Sequence, residues 1–183
     1  MDKKVEIRMA SVKDAEVLLQ IYAPYCTDTV ISFEYEVPAL EEFVERIQTI
    51  QKKYPYLVAV QEGKIVGYAY ASQHKSRAAY QWNVETSIYM DRNYQSNGVG
   101  SLLYEKLIEL LRKQNIRNVY ACVALPNEKS ERIHAKFGFK LIGRFRDTGY
   151  KCGAWHEVGW FEKRLEYNSE VPEPVIPISE IAF

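Results

Sequence analysis

Cysteine and histidine are scarce in this 183-residue chain, with three copies of each. The cysteines are Cys26, Cys122 and Cys152, and the histidines are His74, His134 and His156. An odd number of widely spaced cysteines fits reduced thiols better than a disulfide framework, and the six residues do not have the close spacing of zinc ligands. We therefore predict no disulfides and no metal site.

A surplus of one charge sign is also missing, because lysine plus arginine and aspartate plus glutamate both number 24. A protein that binds a phosphate backbone or an anionic membrane through charge would need an excess of basic residues. The sequence also contains no apolar run long enough to serve as a secretion signal or to span a bilayer. We therefore expect a cytoplasmic protein whose partners include neither nucleic acid nor a membrane.

The composition that is present suits a globular protein, since 47% of the residues are hydrophobic. A length of 183 residues fits one domain better than two. Near the C-terminal end, three of the seven prolines fall within residues 171–177, where neither a helix nor a central strand can form. We expect a single domain at 1–167 and a Pro-rich extended tail at 168–183, which packs on its own subunit, packs on a neighbour or remains loose.

Hydrophobic periodicity predicts strands at 5–8, 56–61, 64–72, 80–90, 119–124, 139–146 and 156–165. It predicts helices at 15–22, 40–50, 102–114 and 128–137. The order βααβββαβαββ begins with an antiparallel meander and continues with a β-α-β crossover, which joins parallel strands. We predict an α/β protein of the α+β type, with a mixed, mainly antiparallel central sheet and helices on both faces.

A glycine-containing loop lies at residues 95–101, Gln-Ser-Asn-Gly-Val-Gly-Ser, between a predicted strand and a predicted helix. Such a loop presents main-chain N–H groups to an anion such as a phosphate. A P-loop would need Lys and then Ser or Thr after its second glycine, and a dinucleotide-binding loop would have glycine in place of Leu103. The loop is therefore either a plain strand-to-helix turn or a different kind of phosphate site.

The loop resembles the Q/R-x-x-G-x-G/A motif of the GNAT acetyltransferases at Gln95, Gly98 and Gly100. That resemblance implies the GNAT fold and a bound acetyl-coenzyme A. The implied cofactor-binding residues are Ile88, Tyr89 and Met90 on the preceding strand, Gln95, Ser96, Asn97, Gly98, Val99, Gly100 and Ser101 in the loop, and Asn127 and Ser130 after the next strand. The amide of Tyr89 or Met90 would hold the oxyanion.

His134 stands seven residues after Asn127, where many GNAT members carry a tyrosine that acts as an acid. An imidazole can also supply a proton to a departing thiolate or donate a hydrogen bond to its sulfur. A histidine on the buried face of a helix is an equally good explanation. His134 is therefore a candidate catalytic acid whose alternative role is structural.

The resemblance to the phosphinothricin N-acetyltransferases covers nearly the whole chain. It is carried by residues 54–59, 67–71, 80–85, 125–127, 153–159 and 171–181. It implies a homodimer that moves an acetyl group to the α-amine of a small amino-acid-like molecule, such as phosphinothricin or methionine sulfoximine. Ala124 departs from the family, where relatives carry glycine, so substrate preference could differ.

Glu85 is the predicted general base, because the family's base falls on this position in an otherwise apolar and aromatic strand. An ammonium group must lose a proton before it attacks a thioester, and an apolar environment makes a carboxylate a better proton acceptor. A surface glutamate on an edge strand would be the ordinary alternative. Glu85 and His134 together form the predicted catalytic pair.

The acceptor site is predicted from the same resemblance. Lys75 and Arg77 would bind the anionic groups of the acceptor, although solvated loop cations are common. The predicted pocket walls are Phe33, Tyr70, Tyr80 and Val158.

Two other functions stay open. The chain could acetylate another primary amine, such as a different amino acid, a polyamine or a protein N-terminus, although Lys75 and Arg77 disfavour a cationic polyamine. It could also be a non-catalytic acyl-coenzyme A binding module, which would not need both a proton acceptor and a proton donor at the acetyl end.

Overall fold

The computed structural model describes residues 4–94, 98–166 and 170–183. Its helices are α1 (Ala15–Thr27), α2 (Leu40–Gln51), α3 (Val99–Lys113) and α4 (Glu128–Lys136). Its strands are β1 (Val5–Met9), β2 (Tyr56–Gln61), β3 (Lys64–Gln73), β4 (Asn83–Met90), β5 (Asn118–Leu125), β6 (Lys140–Lys151) and β7 (Ala154–Arg164). The predicted order βααβββαβαββ is confirmed.

The strands form one seven-stranded sheet in the order β1-β2-β3-β4-β5-β7-β6. All neighbouring pairs are antiparallel except β4 and β5, which are parallel as the crossover predicts. The β4–β5 pairing extends only over Asn83–Glu85 and Asn118–Tyr120. Beyond Glu85 the two strands are no longer paired, so a gap opens in the middle of the sheet.

Helices cover both faces of the sheet, which confirms the predicted architecture. On one face α3 packs its leucines into a core with Leu57, Ala69 and Val84. On the other face α1 and α2 enclose Tyr56, Val58 and Tyr68. The alternation of side chains along β2 and β3 sends neighbouring residues into these two different cores. In the described residues, no helix is both long enough and apolar enough to cross a bilayer.

Three strands, β4, β6 and β7, differ from the prediction by more than one residue at a boundary. β4 begins at Asn83 rather than Tyr80, because Ala78–Tyr80 forms a short 3₁₀ turn instead. β6 and β7 extend farther than predicted and are joined by a tight turn in which Cys152 and Gly153 have φ values of 52° and 77°. A turn with two such residues matches the twist of paired strands, so the hairpin continues close to its tip.

The tail at 170–183 docks against the same chain, although the predicted boundary at 167/168 lies outside the described residues. Ile178 is buried in the α3 core. The Trp82 indole donates a hydrogen bond to the carbonyl of Glu173 at 2.7 Å. Gln114, which is fully buried, donates to the carbonyls of Lys53 and Ile176, both at 2.7 Å. One amide group therefore connects the end of α3, the turn before β2 and the tail.

We predict that Gln114→Ala lowers the free energy of unfolding by about 1–3 kcal/mol, because it leaves buried carbonyl oxygens short of a donor. The measurement is urea denaturation followed by circular dichroism. Gln20→Ala is the matched control, since Gln20 is an exposed glutamine on α1 and its loss should change stability by less than about 0.5 kcal/mol. Equal stability of the two variants would contradict the prediction.

Candidate active site

A cleft of about 920 Å³ opens between the separated end of β4, the start of α3 and α4. The predicted residues that line it are Ile88, Met90, Gly98, Gly100, Ser101, Asn127 and Ser130. Tyr25, Thr29 and Ile31 contribute the wall from the α1 side. Residues from three separate segments of the sequence, 88–90, 98–101 and 127–130, therefore come together at this cleft. Gln95, Ser96 and Asn97 lie outside the described residues.

The start of α3 gives this cleft an electropositive end. Gly98 is the N-cap residue, with φ 78° in the left-handed region that favours glycine. The first amides of a helix have no acceptor within the helix, and its N-terminus attracts anions. Among the described lining residues four are basic and none is acidic. These basic residues are Arg92, Lys129, Arg132 and Lys136. The cleft is therefore built for an anionic ligand.

Two of the predicted cofactor residues lie elsewhere than in the wall of the cleft. Val99 is only 1% exposed and belongs to the α3 core. The Tyr89 ring packs edge-on against Tyr22 and Tyr25 on the opposite face of the sheet. The Met90 amide, one of the two predicted oxyanion donors, donates to the Tyr25 hydroxyl over 3.3 Å. Only the main chain of Val99 could therefore serve a ligand in the cleft, because the register of β3 and β4 pairs the main chain of Tyr89 with Tyr68.

Asn127 holds the first turn of α4 at the far side of the cleft. Its side-chain oxygen accepts a hydrogen bond from the Ser130 amide at 3.1 Å, which is the usual N-cap interaction. The side chain therefore has a structural role that is independent of any ligand.

His134 lies in the core below the cleft and is 3% exposed. Its Nδ1 lies 2.7 Å from the Ser130 carbonyl oxygen, and its Nε2 lies 3.2 Å from the Tyr104 hydroxyl. Since the Ser130 carbonyl can only accept, Nδ1 carries the hydrogen and Nε2 accepts from Tyr104 in the neutral ring. Burial lowers the pKa of His134. Ser130, whose hydroxyl is 3.3 Å from Nδ1, is the described residue that both contacts the ring and lines the cleft.

Glu85 lies on the other face of the sheet, at the point where β4 and β5 separate. It is directly opposite Ser72 on β3 and Tyr120 on β5. Its side chain is 33% exposed, so the expectation that it is buried is wrong. Tyr89, which is farther along the same face, packs against α1, whereas Glu85 lies beyond that covered region. The carboxylate is therefore half-buried and open to an incoming molecule.

A second cavity of about 460 Å³ lies between α2 and the tyrosine-rich face of β2 and β3. Tyr70 and Ser72 line it, and Ser72 is the cross-strand neighbour of Glu85. Arg46 also lines it and forms an ion pair with Glu34 at 2.6 Å. This cavity places an aromatic wall and a charged pair beside the carboxylate.

The other predicted acceptor residues are spread around that face. Lys75, Arg77 and Tyr80 are exposed in the segment between β3 and β4 and line neither cavity. Val158 is buried opposite Ala124 on β5. Phe33 lies against Gly149, where an added Cβ would come within 2.4 Å of the ring. A glycine at 149 is thus required for Phe33 to occupy its position.

Sequence reasoning missed several residues of this face. His74 lies 3.7 Å from the Glu85 carboxylate, measured from Nδ1 to Oε2. The buried ammonium of Lys151 donates to the carbonyls of Cys26 and Ser32, both at 2.6 Å, and thereby fixes the segment after α1. His74 could have been found, because it continues the alternation of Tyr70 and Ser72 on one face. Lys151 gave no local signal, since its partners lie more than 100 residues away.

Cys122 faces the same region, on the β5 position opposite Trp160. It is exposed at the surface of the protein, yet the surrounding protein and then the Glu85 charge raise the pKa of the Cys122 thiol to about 11. Across residues 4–94, 98–166 and 170–183, no group of three His, Cys, Asp or Glu side chains could hold a metal ion.

Comparison with known proteins identifies the class. The profile of the Acetyltransferase (GNAT) domain family matches residues 7–160. The chain is therefore a member of the GNAT acetyltransferases, which use acetyl-coenzyme A. A phosphinothricin N-acetyltransferase of Streptomyces viridochromogenes is 36% identical over 179 residues, which are 98% of this chain and 97% of that protein.

Two further relatives narrow the class. An L-methionine sulfoximine/L-methionine sulfone acetyltransferase of Pseudomonas aeruginosa is 27% identical, over 91% of this chain and 98% of that protein. The crystal structure of a phosphinothricin acetyltransferase from Sinorhizobium meliloti in complex with acetyl-coenzyme A superposes with a TM-score of 0.88 at 29% identity, over 97% of this chain and 99% of that chain. Within the GNAT acetyltransferases, this chain belongs to the phosphinothricin N-acetyltransferase family and is an N-acetyltransferase.

The buried imidazole makes stability depend on pH. Because the pKa of His134 is lower in the folded protein than in the unfolded chain, the unfolded chain binds the proton more readily. The free energy of unfolding should therefore be independent of this group above about pH 6.5 and should decrease as the pH falls below that value. We predict that His134→Gln flattens this decrease, as measured by urea denaturation at pH 8 and pH 5.5.

The protonation of Asp14 does not contribute to the change in stability between pH 8 and pH 5.5. Its hydrogen bond with Arg8 lowers its pKa from the ordinary carboxyl range, so its contribution is lost only at a lower pH. If the wild type and His134→Gln lose the same stability between pH 8 and pH 5.5, the prediction is wrong.

Proposed function

We propose that this enzyme transfers the acetyl group of acetyl-coenzyme A to the α-amine of a small amino-acid-like acceptor of the phosphinothricin or methionine sulfoximine type, with Glu85 as the general base. The main observation in support is the position of Glu85. It is the last β4 residue paired with β5, so it lies at the inner end of the gap that leads into the electropositive cleft.

Acetyl-coenzyme A would fit the cleft with its diphosphate at the start of α3 and its thioester at the gap between β4 and β5. Its diphosphate would bind at the first amides of α3 and the surrounding basic side chains, where Gly98, Gly100 and Ser101 leave room. The pantetheine arm would lie along Ile88 and Met90, with Asn127 opposite. The thioester would then reach the gap between the strands. This direction puts the acetyl carbon between the cleft and Glu85.

The reaction needs two proton transfers. Glu85 would accept a proton from the acceptor ammonium, directly or through water, and the free amine would attack the thioester carbonyl. The Met90 amide would stabilise the oxyanion in place of its 3.3 Å bond to the Tyr25 hydroxyl, since the register of β3 and β4 directs the Tyr89 amide to Tyr68. The departing thiolate would then take up a proton. His134 would contribute through Ser130, because Ser130 is the residue that joins the ring to the cleft.

The acceptor would bind on the Glu85 face of the sheet. Phe33, Tyr70 and Val158 would form apolar walls, and the exposed Tyr80 would close the site from the loop. Lys75 and Arg77 are exposed on the same loop and would attract the anionic groups of the acceptor. A cationic amine is the second candidate, because Glu34, Glu42 and Glu45 line the cavity beside Glu85.

We also propose that the enzyme is a homodimer. The hairpin of β6 and β7 exposes large apolar side chains on the outermost strands, namely Leu141, Ile142, Phe145, Tyr150 and Trp155. An edge strand with exposed apolar residues is a common site of association. A second copy of the chain would cover these residues.

The test of the proposed function is release of coenzyme A thiol from acetyl-coenzyme A in the presence of phosphinothricin, methionine sulfoximine or spermidine. We predict turnover with the first two, and a decrease in kcat of about 10²-fold or more in Glu85→Gln, the size expected for loss of a general base. The KM for acetyl-coenzyme A should stay the same. Turnover with spermidine alone would favour the cationic acceptor, and cofactor binding without any turnover would favour the non-catalytic module.

A separate prediction concerns the cofactor contact of Asn127. Asn127→Ala should lower stability by about 0.5–2 kcal/mol through loss of the helix cap, and Asn127→Ser should retain it, because serine also caps helices. Both variants should raise the KM for acetyl-coenzyme A, because neither has an amide that can reach the pantetheine arm. An unchanged KM in Asn127→Ser would show that the residue serves only as the cap.

A further inference from the structure

His74 occupies an unusual position immediately after β3. Its amide donates to the Asn83 carbonyl at 3.5 Å, which continues the pairing of β3 with β4. Its ring stacks on Tyr120 of β5, with centroids 4.4 Å apart, and meets the edge of Trp160 of β7 at 5.6 Å. Side chains of two strands, β5 and β7, therefore fix the plane of the imidazole, and the side chain is only 15% exposed.

One nitrogen of this ring has no hydrogen-bond partner. Nδ1 is buried, and nothing in the described part of the chain lies at bonding distance from it. A buried polar atom that lacks a partner costs free energy, so an imidazole is a poor choice for a site that requires only stacking. A phenylalanine would fill the same space without that cost. The nitrogen is therefore expected to have a function.

The Glu85 carboxylate is the acidic group near that nitrogen. The separation of 3.7 Å between Nδ1 and Oε2 is slightly too long for a hydrogen bond and short enough for an ion pair. Glu85 is half-buried and His74 is held by its aromatic neighbours, so a small rotation of the carboxylate alone would close the distance. The two groups form a pair in which one partner is rigid.

We infer that His74 is a positioning residue for Glu85, with its Nδ1–H holding one carboxylate oxygen so that the other faces the acceptor amine. The inference rests on the proposed role of Glu85 as general base. The acceptor ammonium loses a proton to the free oxygen of Glu85, its nitrogen attacks the thioester carbon, and the C–S bond breaks. The nitrogen then loses its second proton, which passes to the departing thiolate to give the amide and the coenzyme A thiol. His74 neither gains nor loses a proton in this sequence.

The other titratable groups around the pair are Tyr120, Cys122 and Glu162, whose carboxylate lies 3.1 Å from the Tyr120 hydroxyl. Burial raises the pKa of Tyr120, and the pKa of Cys122 is raised to about 11, so both stay neutral near pH 7. Neither Tyr120 nor Cys122 therefore competes with Glu85 as an anionic partner of the imidazole.

The experiment compares His74→Phe with His74→Asn in the full-length enzyme. Phenylalanine keeps the stacking on Tyr120 and removes the nitrogen, whereas asparagine keeps an N–H close to the Nδ1 position. The measurement is kcat and KM for phosphinothricin at pH 8. We expect His74→Phe to lower kcat about tenfold, the scale of one hydrogen bond to a charged group, and to leave KM unchanged. His74→Asn should recover most of the lost kcat.

The coupling is tested by repeating His74→Phe in the Glu85→Gln background. A positioning role predicts little further loss there, whereas a general structural defect lowers both backgrounds equally and would overturn the inference. Glu162→Gln is the matched control and should keep the kcat of the wild type. If this control lowers kcat and His74→Phe does not, the inference is also overturned. A folded His74→Asn variant that recovers none of the kcat lost in His74→Phe decides against it as well.

The two hypotheses fail in different ways. A fully active Glu85→Gln would remove both the proposed base and the residue that positions it. An inactive Glu85→Gln together with a His74→Phe that matches the wild type in kcat and KM would leave the base in place and remove only the role of His74.

Discussion

The short parallel pairing of β4 with β5 is the constraint on which the site depends. Three residue pairs join the strands, and beyond them each strand follows its own antiparallel neighbour, β3 on one side and β7 on the other. Main-chain groups at the gap are therefore left for a ligand rather than for the sheet. A longer pairing would close the sheet and remove both the cleft and the passage to Glu85.

The alternation of side chains along β4 places the residues of the cleft and those of the proposed acceptor site on opposite faces of the sheet. Ile88 and Met90 line the cofactor cleft, whereas Glu85 and Tyr89 have the opposite parity and face the α1 and α2 side. A ligand that lies wholly on one face could not meet both sets of residues. In the proposed reaction the gap between the strands would solve this, because a narrow acyl group could pass through a sheet that a nucleotide cannot cross.

The order of elements, the parallel pair and the glycine loop could all be predicted from local patterns, since each depends on periodicity or on turn residues close in sequence. The exposure of Glu85 could not, because it depends on where α1 and α2 stop covering the sheet. The positions of the Val99 and Tyr89 side chains could not be predicted either, although their neighbours in the sequence line the cleft. The rotation of the helix buries Val99 in the α3 core, and the alternation along the strand packs Tyr89 against Tyr22. The environment of His74 requires three strands that are distant in the chain.

The state of Cys122 has a consequence for the fate of the acyl group. A thiolate close to a thioester would exchange with it and capture the acetyl group on the protein itself. The protein around Cys122 raises the pKa of the thiol to about 11, with a smaller contribution from the Glu85 charge, so the side chain stays almost entirely in its thiol form near neutral pH. The surroundings of the proposed base thereby also keep a competing nucleophile in its unreactive form.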